Sequence, residues 1–68
     1  MLDHRLLAFE AVLQEGSFER AARRLALTQS AVSQRVKLLE AELGQVLLVR
    51  SQPVRPTPGG RGLLRYRV

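Results

Sequence analysis

The fold is decided by residues 17–44, which read SFERAARRLALTQSAVSQRVKLLEAELG. Ser17 and Thr28 are residue types that begin helices, because their hydroxyls accept hydrogen bonds from free backbone N–H groups. Gly44 is a residue type that ends a helix, because it adopts the left-handed conformation without strain. The stretch therefore predicts a short helix after Ser17, a turn at 26–27, and a longer helix over 29–43.

The longer helix has two faces of different chemistry. An apolar stripe at helical spacing predicts its buried side: Val32, Val36, Leu39 and Leu43. A second face carries small or amide side chains and one cation at i, i+3, i+4 and i+7: Ser30, Ser33, Gln34 and Lys37. Except for Lys37, the groups on this second face both donate and accept hydrogen bonds. Glu40 follows Lys37 at i+3 and is expected to pair with it.

Two further helices are predicted before the longer one. Asp3 caps the first, whose apolar positions run to a stop at Gly16: Leu2, Leu6, Phe9 and Leu13. The second buries Phe18, Ala21, Ala22 and Leu25, and its two alanines let a neighbouring helix approach closely. A short helix, a tight turn and a longer capped helix are typical of a helix-turn-helix, in which the second helix enters the major groove of DNA.

Residues 45–68 follow a different pattern. We expect a strand, a turn and a short return strand at 45–50, 51–53 and 54–56, and we refer to residues 45–56 as the wing. Pro53 and Pro56 restrict this hairpin to a sheet edge, because proline donates no ladder hydrogen bond. Thr57 followed by Pro58 predicts the start of a fourth helix, which its glycines weaken.

Length and composition exclude several classes of protein. At 68 residues the chain is one domain, and it has no cysteine and one histidine, which leaves no thiol or metal-ligand cluster. No constellation of catalytic residues is present, so we expect neither an enzyme nor a cofactor. No apolar run reaches the roughly 18–20 residues of a membrane span, and we expect a cytoplasmic protein without a membrane partner.

The positive charge is concentrated at one end. Residues 1–49 contain six basic and six acidic side chains, whereas residues 50–68 contain five arginines and no acid, which gives the net charge of +5. A basic edge favours a polyanion such as double-stranded DNA. Three alternatives remain open: a solubilising tail, non-specific binding to a polyanion or a membrane surface, and dimerisation through Leu63, Leu64 and Tyr66.

The helix pattern predicts which residues meet DNA. The outward N-terminal half of the longer helix carries groups that can match base edges: Gln29, Ser30, Ser33 and Gln34. Thr28 and the backbone amides beside it can bind a phosphate.

Residues 1–67 resemble the N-terminal winged helix-turn-helix of LysR-type transcriptional regulators, and most closely their lysine- and arginine-responsive (ArgP or LysG) branch. Four segments carry the resemblance: 16–22 (GSFERAA), 28–35 (TQSAVSQR), 38–44 (LLEAELG) and 47–57 (LLVRSQPVRPT). It implies a mainly α fold, with three helices, a β-hairpin wing and the start of a linker helix. The DNA-binding domain would be residues 1–57, and residues 58–68 a truncated linker or dimerisation helix.

The resemblance also implies roles for individual residues. At the major groove and its flanking phosphates it places Thr28, Gln29, Ser30, Ser33, Gln34 and Lys37. It places Arg50 and Arg55 of the wing on the backbone or in the minor groove, and Arg35 on phosphate or supporting the turn. It further implies binding to promoter DNA as a homodimer or higher oligomer. An effector, such as a basic amino acid, would act through a C-terminal domain outside this chain.

Overall fold

The computed structural model describes residues 3–65, and its helices begin where the sequence predicts. They are α1 (His4–Glu15), α2 (Phe18–Leu25), α3 (Gln29–Leu43) and α4 (Pro58–Arg65). Each follows a side chain that accepts a hydrogen bond from a backbone N–H in the first turn: Asp3, Ser17, Thr28 and Thr57. The predicted caps are confirmed. Leu2, expected on the apolar stripe of the first helix, and Tyr66, named for dimerisation, lie outside the described residues.

The first three helices end in the left-handed conformation. Gly16 and Gly44 have φ angles of 70° and 66°, as expected for glycine stops. Ala26 ends α2 with a φ of 57°, and its N–H donates back to the carbonyl of Arg23. An alanine in this conformation is strained, because its Cβ approaches the following carbonyl oxygen. The resulting turn is tight and places α3 immediately after α2.

The core lies where α1 packs across α2 and α3. It includes the hairpin side chains Leu47, Leu48 and Val54, and its largest fully buried side chain is Phe9. The predicted stripe of α3 is wrong at Leu43, which is 43% exposed. Leu43 is the last residue of α3 and follows Glu42, whose carboxylate pairs with Arg5 at the start of α1. In α1 the burial is centred on Ala8, Phe9, Ala11 and Val12, while Leu6 and Leu13 are partly buried.

The wing is a shorter hairpin than predicted. Strands β1 (Leu48–Val49) and β2 (Arg55–Pro56) are antiparallel, with Leu48 opposite Pro56 and Val49 opposite Arg55. The strand expected over 45–50 is therefore wrong in extent.

Before Leu48 the ladder is incomplete, because the N–H of Leu47 is bonded outside the hairpin. The N–H of Leu47 donates to the carboxylate of Glu40 at 2.8 Å, and the carbonyl of Leu47 accepts from the N–H of Thr57 at 3.0 Å. The hydroxyl of Thr57 donates to the carbonyl of Val46. The expected pairing of Glu40 with Lys37 is thus also wrong, because the carboxylate of Glu40 turns to the wing instead.

Helix α4 packs against the wing through a glycine. Gly60 is buried, and a Cβ at this position would collide with the backbone carbonyl of Leu47. A Cβ at Gly62 would meet open space. Gly60 therefore permits a close approach of two backbones, a role that its helix-weakening propensity did not indicate. Within residues 3–65, no helix is both long and apolar enough to cross a membrane.

Candidate nucleic-acid interface

The first half of α3 presents its polar face outward because its apolar face is fixed in the core. Val32 and Val36 are fully buried. On the other side Gln29, Ser30 and Gln34 are exposed and Ser33 is half-buried. The hydroxyl of Thr28 accepts from the N–H of Ala31 at 3.0 Å and so fixes where the helix begins.

An open groove lies beside this polar face. Its walls are the start of α2, the first half of α3 and the turn of the wing. Six of the nine residues predicted to contact DNA line it: Gln29, Ser30, Ser33, Gln34, Lys37 and Arg50. The turn of the wing reaches this position because the N–H of Val54 donates to the carbonyl of Gly16 at 3.0 Å, which ties it to the α1–α2 junction.

Arg50 joins the wing to the polar face of α3. Its guanidinium carbon lies 4.3 Å from the centroid of the Phe18 ring. Its Nη2 donates to the hydroxyl of Ser33 at 3.1 Å. A cation above an aromatic face is attracted by the negative charge of the ring's π-system. The predicted wing residue is therefore held within the groove, directly beside a predicted base-contacting residue.

The remaining predicted residues lie outside the groove lining. Thr28 is exposed and its hydroxyl caps α3, Arg35 is half-buried on α3, and Arg55 is exposed on β2. Thr28 and Arg55 are thus open to solvent.

The groove combines positive charge with neutral hydrogen-bonding groups. Lys37 and Arg50 supply the cations, and the first turn of α3 holds no acidic residue that would oppose an anion there. The N-terminus of a helix carries partial positive charge, which adds to the attraction. Glu19 is the acidic residue of the lining, and its carboxylate lies 3.8 Å from the guanidinium of Arg23. This chemistry suits a ligand that carries both anionic groups and hydrogen-bonding groups.

Reasoning from the sequence missed several residues of the groove: Ser17, Phe18, Glu19, Ser51, Gln52 and Val54. Phe18 was expected to be a core residue, and it is partly buried against the core while its ring also lies under Arg50. Nothing in the helical spacing indicates this second contact, because Phe18 and Arg50 belong to elements that meet only after the wing folds back.

The model of bacterial regulatory helix-turn-helix proteins of the lysR family matches residues 4–61. The chain belongs to the lysR family. This is a family of transcriptional regulators, in agreement with the resemblance drawn from segments 16–22, 28–35, 38–44 and 47–57.

Individual lysR-family proteins are similar over nearly the whole chain. The HTH-type transcriptional regulator ArgP of Aeromonas salmonicida is 56% identical over 66 residues, which are 96% of this chain and 22% of that protein. The structure of a BenM_DBD complex with catB site 1 DNA is 42% identical, with a TM-score of 0.89, covering 97% of this chain and 75% of that one. The structure of full-length LysG from Corynebacterium glutamicum with bound effector Arg is 42% identical, with a TM-score of 0.89. The match covers 97% of this chain and 23% of that one.

The chain spans about a fifth of the length of the curated lysR-family relatives that it matches. The matched part is the winged helix-turn-helix, and its fold is the one that the resemblance implied.

Proposed function

We propose that this chain binds double-stranded DNA in a sequence-specific manner, as the DNA-reading part of a lysR-family transcriptional regulator. Helix α3 would enter the major groove, and the wing would follow the flanking backbone or minor groove. The observation that carries this proposal is the groove in which the uncharged polar face of α3 meets Lys37 and Arg50. The match to BenM_DBD, whose structure is a complex with DNA, supports the same assignment.

The residues divide into two kinds of contact. Gln29, Ser30, Ser33 and Gln34 combine donors and acceptors on the outward face of α3, which suits base edges. The second kind of contact is to phosphate. It suits positively charged side chains and the backbone amides at the start of a helix, and the residues concerned are Thr28, Arg35, Lys37 and Arg55. Arg50 lies between the two groups, because its wing position suits phosphate while its contact with Ser33 brings it to the base-reading face.

Mutation of one residue from each group tests this division. Selection of bound duplexes from a randomised library gives the base preference of the unchanged chain. Gln34→Ala is expected to change that preference at one base position, since truncation of a base contact relaxes specificity there. Arg55→Ala is expected to weaken binding about equally on all duplexes. If Gln34→Ala also weakens all duplexes equally, Gln34 contacts phosphate rather than a base.

Non-specific polyanion binding is the second candidate, and the five arginines of residues 50–68 favour it. The two functions differ in what salt does to them. Charge-driven binding falls steeply with salt on every duplex alike. Sequence-specific binding retains a preference between duplexes at each salt concentration.

For the whole regulator we propose a homodimer or higher oligomer that acts on promoter DNA in the cytoplasm. Residues 58–68 would begin its linker helix after a DNA-binding domain over 1–57. Two copies of α3 would then reach successive major grooves about 34 Å apart. The LysG structure with bound effector Arg supports a basic amino acid as the effector. The test is whether arginine or lysine changes the operator affinity of the full-length protein.

A further inference from the structure

Three side chains from three separate elements meet at one point of the groove. Phe18 comes from the first turn of α2, Ser33 from α3, and Arg50 from the residue after β1. The ring of Phe18 lies under the guanidinium of Arg50, and the same guanidinium donates to the hydroxyl of Ser33 at 3.1 Å. An arginine at the surface is ordinarily free to sample many rotamers, and here two contacts hold one of them.

The backbone that carries Arg50 is also fixed. Leu48, two residues earlier, is buried in the core, and Val54 on the return side of the turn is buried as well. The hydroxyl of Ser51 donates to the carbonyl of Pro53 at 2.8 Å, which closes the turn that follows Arg50. The position of the guanidinium is therefore set by the fold of the wing as well as by its own contacts.

The contact with Arg50 restricts what Ser33 can do. A guanidinium only donates hydrogen bonds, so the hydroxyl oxygen of Ser33 must accept. The hydroxyl proton of Ser33 is then left to donate to a group other than Arg50, such as an acceptor that enters the groove. Lys37, one helical turn further along α3, adds another group that can only donate. This end of the groove thus presents donors to whatever enters it.

We propose that Phe18 is a positioning residue that holds Arg50 beside Ser33, and that Arg50 and Ser33 act together as a donor pair selecting a guanine in bound DNA. Guanine presents two acceptors, N7 and O6, to the major groove, whereas cytosine presents an amino donor there. The proposal rests on the DNA-binding function proposed above. It assigns to the wing arginine a base contact in place of a phosphate contact, and to Phe18 a role besides packing.

The experiment begins with the unchanged 68-residue chain. Selection from a randomised duplex library identifies its preferred duplex, and fluorescence anisotropy then measures affinity for that duplex and for versions with each guanine–cytosine pair reversed. We expect one pair whose reversal weakens binding at least about fivefold, the lower range for a specific base contact. If the unchanged chain shows no preference among duplexes, the DNA-reading function itself is wrong and this proposal is wrong with it.

Variants of Phe18 and Arg50 then separate positioning from packing. Arg50→Ala is expected to abolish the preference at that base pair. Phe18→Leu removes the aromatic face but keeps an apolar side chain, and is expected to lower the preference about threefold, the size of an exposed cation–π contact. Phe18→Tyr keeps the face and is expected to retain the preference. Circular dichroism of each variant verifies that it is folded.

The decisive comparison is made in the Arg50→Ala background. There Phe18→Leu should change neither affinity nor preference, because Phe18 no longer has a guanidinium to hold. An equal loss in both backgrounds would show that Phe18 acts by packing alone and would overturn its positioning role. If Phe18→Leu does not fold, Ser33→Ala and Arg50→Ala still test the donor pair. Both substitutions should reduce the preference at the same base pair, and the double variant should lose less than the sum of the two single losses. Losses at different base pairs, or losses that add, overturn the donor pair.

Discussion

The three-helix body (residues 3–44) and the C-terminal segment (residues 45–65) are stabilised in different ways. Each helix of the body begins at a cap supplied by the residue before it and ends at a left-handed residue directly after it. The C-terminal segment is attached through bonds between distant residues, such as Glu40 to Leu47 and Gly16 to Val54. The groove includes side chains from both parts, so it exists only when the second is attached to the first.

The largest expected effect comes from the close approach of α4 to the wing. Gly60→Ala places a Cβ against the carbonyl of Leu47, and we expect a loss of about 2 kcal/mol in the free energy of unfolding. Thermal denaturation followed by circular dichroism measures it, since about 1 kcal/mol shifts the Tm of a domain this small by roughly 4–8 °C.

Gly62→Ala is the matched control for this position. It lies in the same helix but faces open space, so we expect alanine's helix propensity to raise stability by up to about 1 kcal/mol. If both alanine variants raised stability, helix propensity rather than close packing would explain the effect at Gly60.

A change at Glu40 is expected to loosen the C-terminal segment while leaving the body folded. Glu40→Ala leaves the N–H of Leu47 without its acceptor, at a cost of about 1–2 kcal/mol, whereas Glu40→Gln keeps a side-chain oxygen that can accept. Amide hydrogen exchange should show faster exchange at Leu47 and Thr57 in the alanine variant, with α1 and α2 unchanged. Faster exchange throughout the chain would mean that the two parts unfold as one unit.

A smaller effect, a gain in stability, is expected at Ala26 inside the body. Ala26 has a φ of 57°, so Ala26→Gly should relieve strain and raise stability by about 0.5 kcal/mol after the added freedom of the unfolded chain is subtracted. Ala41→Gly, at an exposed position of regular helix in α3, should lower stability by about 1 kcal/mol. Urea denaturation measures the free energy of unfolding of both variants. A lower stability of Ala26→Gly than of the unchanged chain would contradict strain at this turn.

The smallest expected effect is a change of stability with pH that comes from Asp3. The hydrogen bond from the Arg5 side chain, together with the one from the Arg5 backbone, lowers the pKa of Asp3 from 3.8 to about 2. Because the folded-state pKa is the lower one, the contribution of Asp3 to stability is present above about pH 4 and is lost as the pH falls through about 2. NMR titration of the Asp3 carboxyl measures the shift directly.

Asp3→Asn provides the control, because it retains a capping oxygen and removes the charge. Denaturation at pH 6 and at pH 2 should show a smaller difference between the two conditions in this variant than in the unchanged chain. An NMR titration midpoint near 3.8 would contradict the contact between Asp3 and Arg5.

The body could be predicted from the sequence because its signals are local. The caps at Ser17 and Thr28 and the stop at Gly44 lie beside the helix ends that they define, so the bounds of α3 were correct. The strand over 45–50 was too long because the N–H of Leu47 donates to Glu40 on α3 instead of to the opposite strand, and no local pattern shows such a partner.

The candidate site also has a part that local sequence patterns predict and a part that depends on contacts between distant elements. Gln29, Ser30, Ser33 and Gln34 could be grouped from helical periodicity alone, and the structure brings them to one groove. The position of Arg50 above Phe18 could not be predicted, since it depends on how the wing folds back onto the start of α2. The same holds for Gly60, whose role depends on the nearness of a carbonyl from another element.

Whether the groove reads sequence is measured by the affinity of the 68-residue chain for its selected duplex and for a shuffled duplex of equal composition, by fluorescence anisotropy over a range of salt. If the groove reads sequence, the selected duplex binds more tightly at every salt concentration, while both affinities fall with salt through phosphate contacts. Equal affinity for the two duplexes at every salt concentration would contradict the account and leave only the attraction of a basic segment for a polyanion.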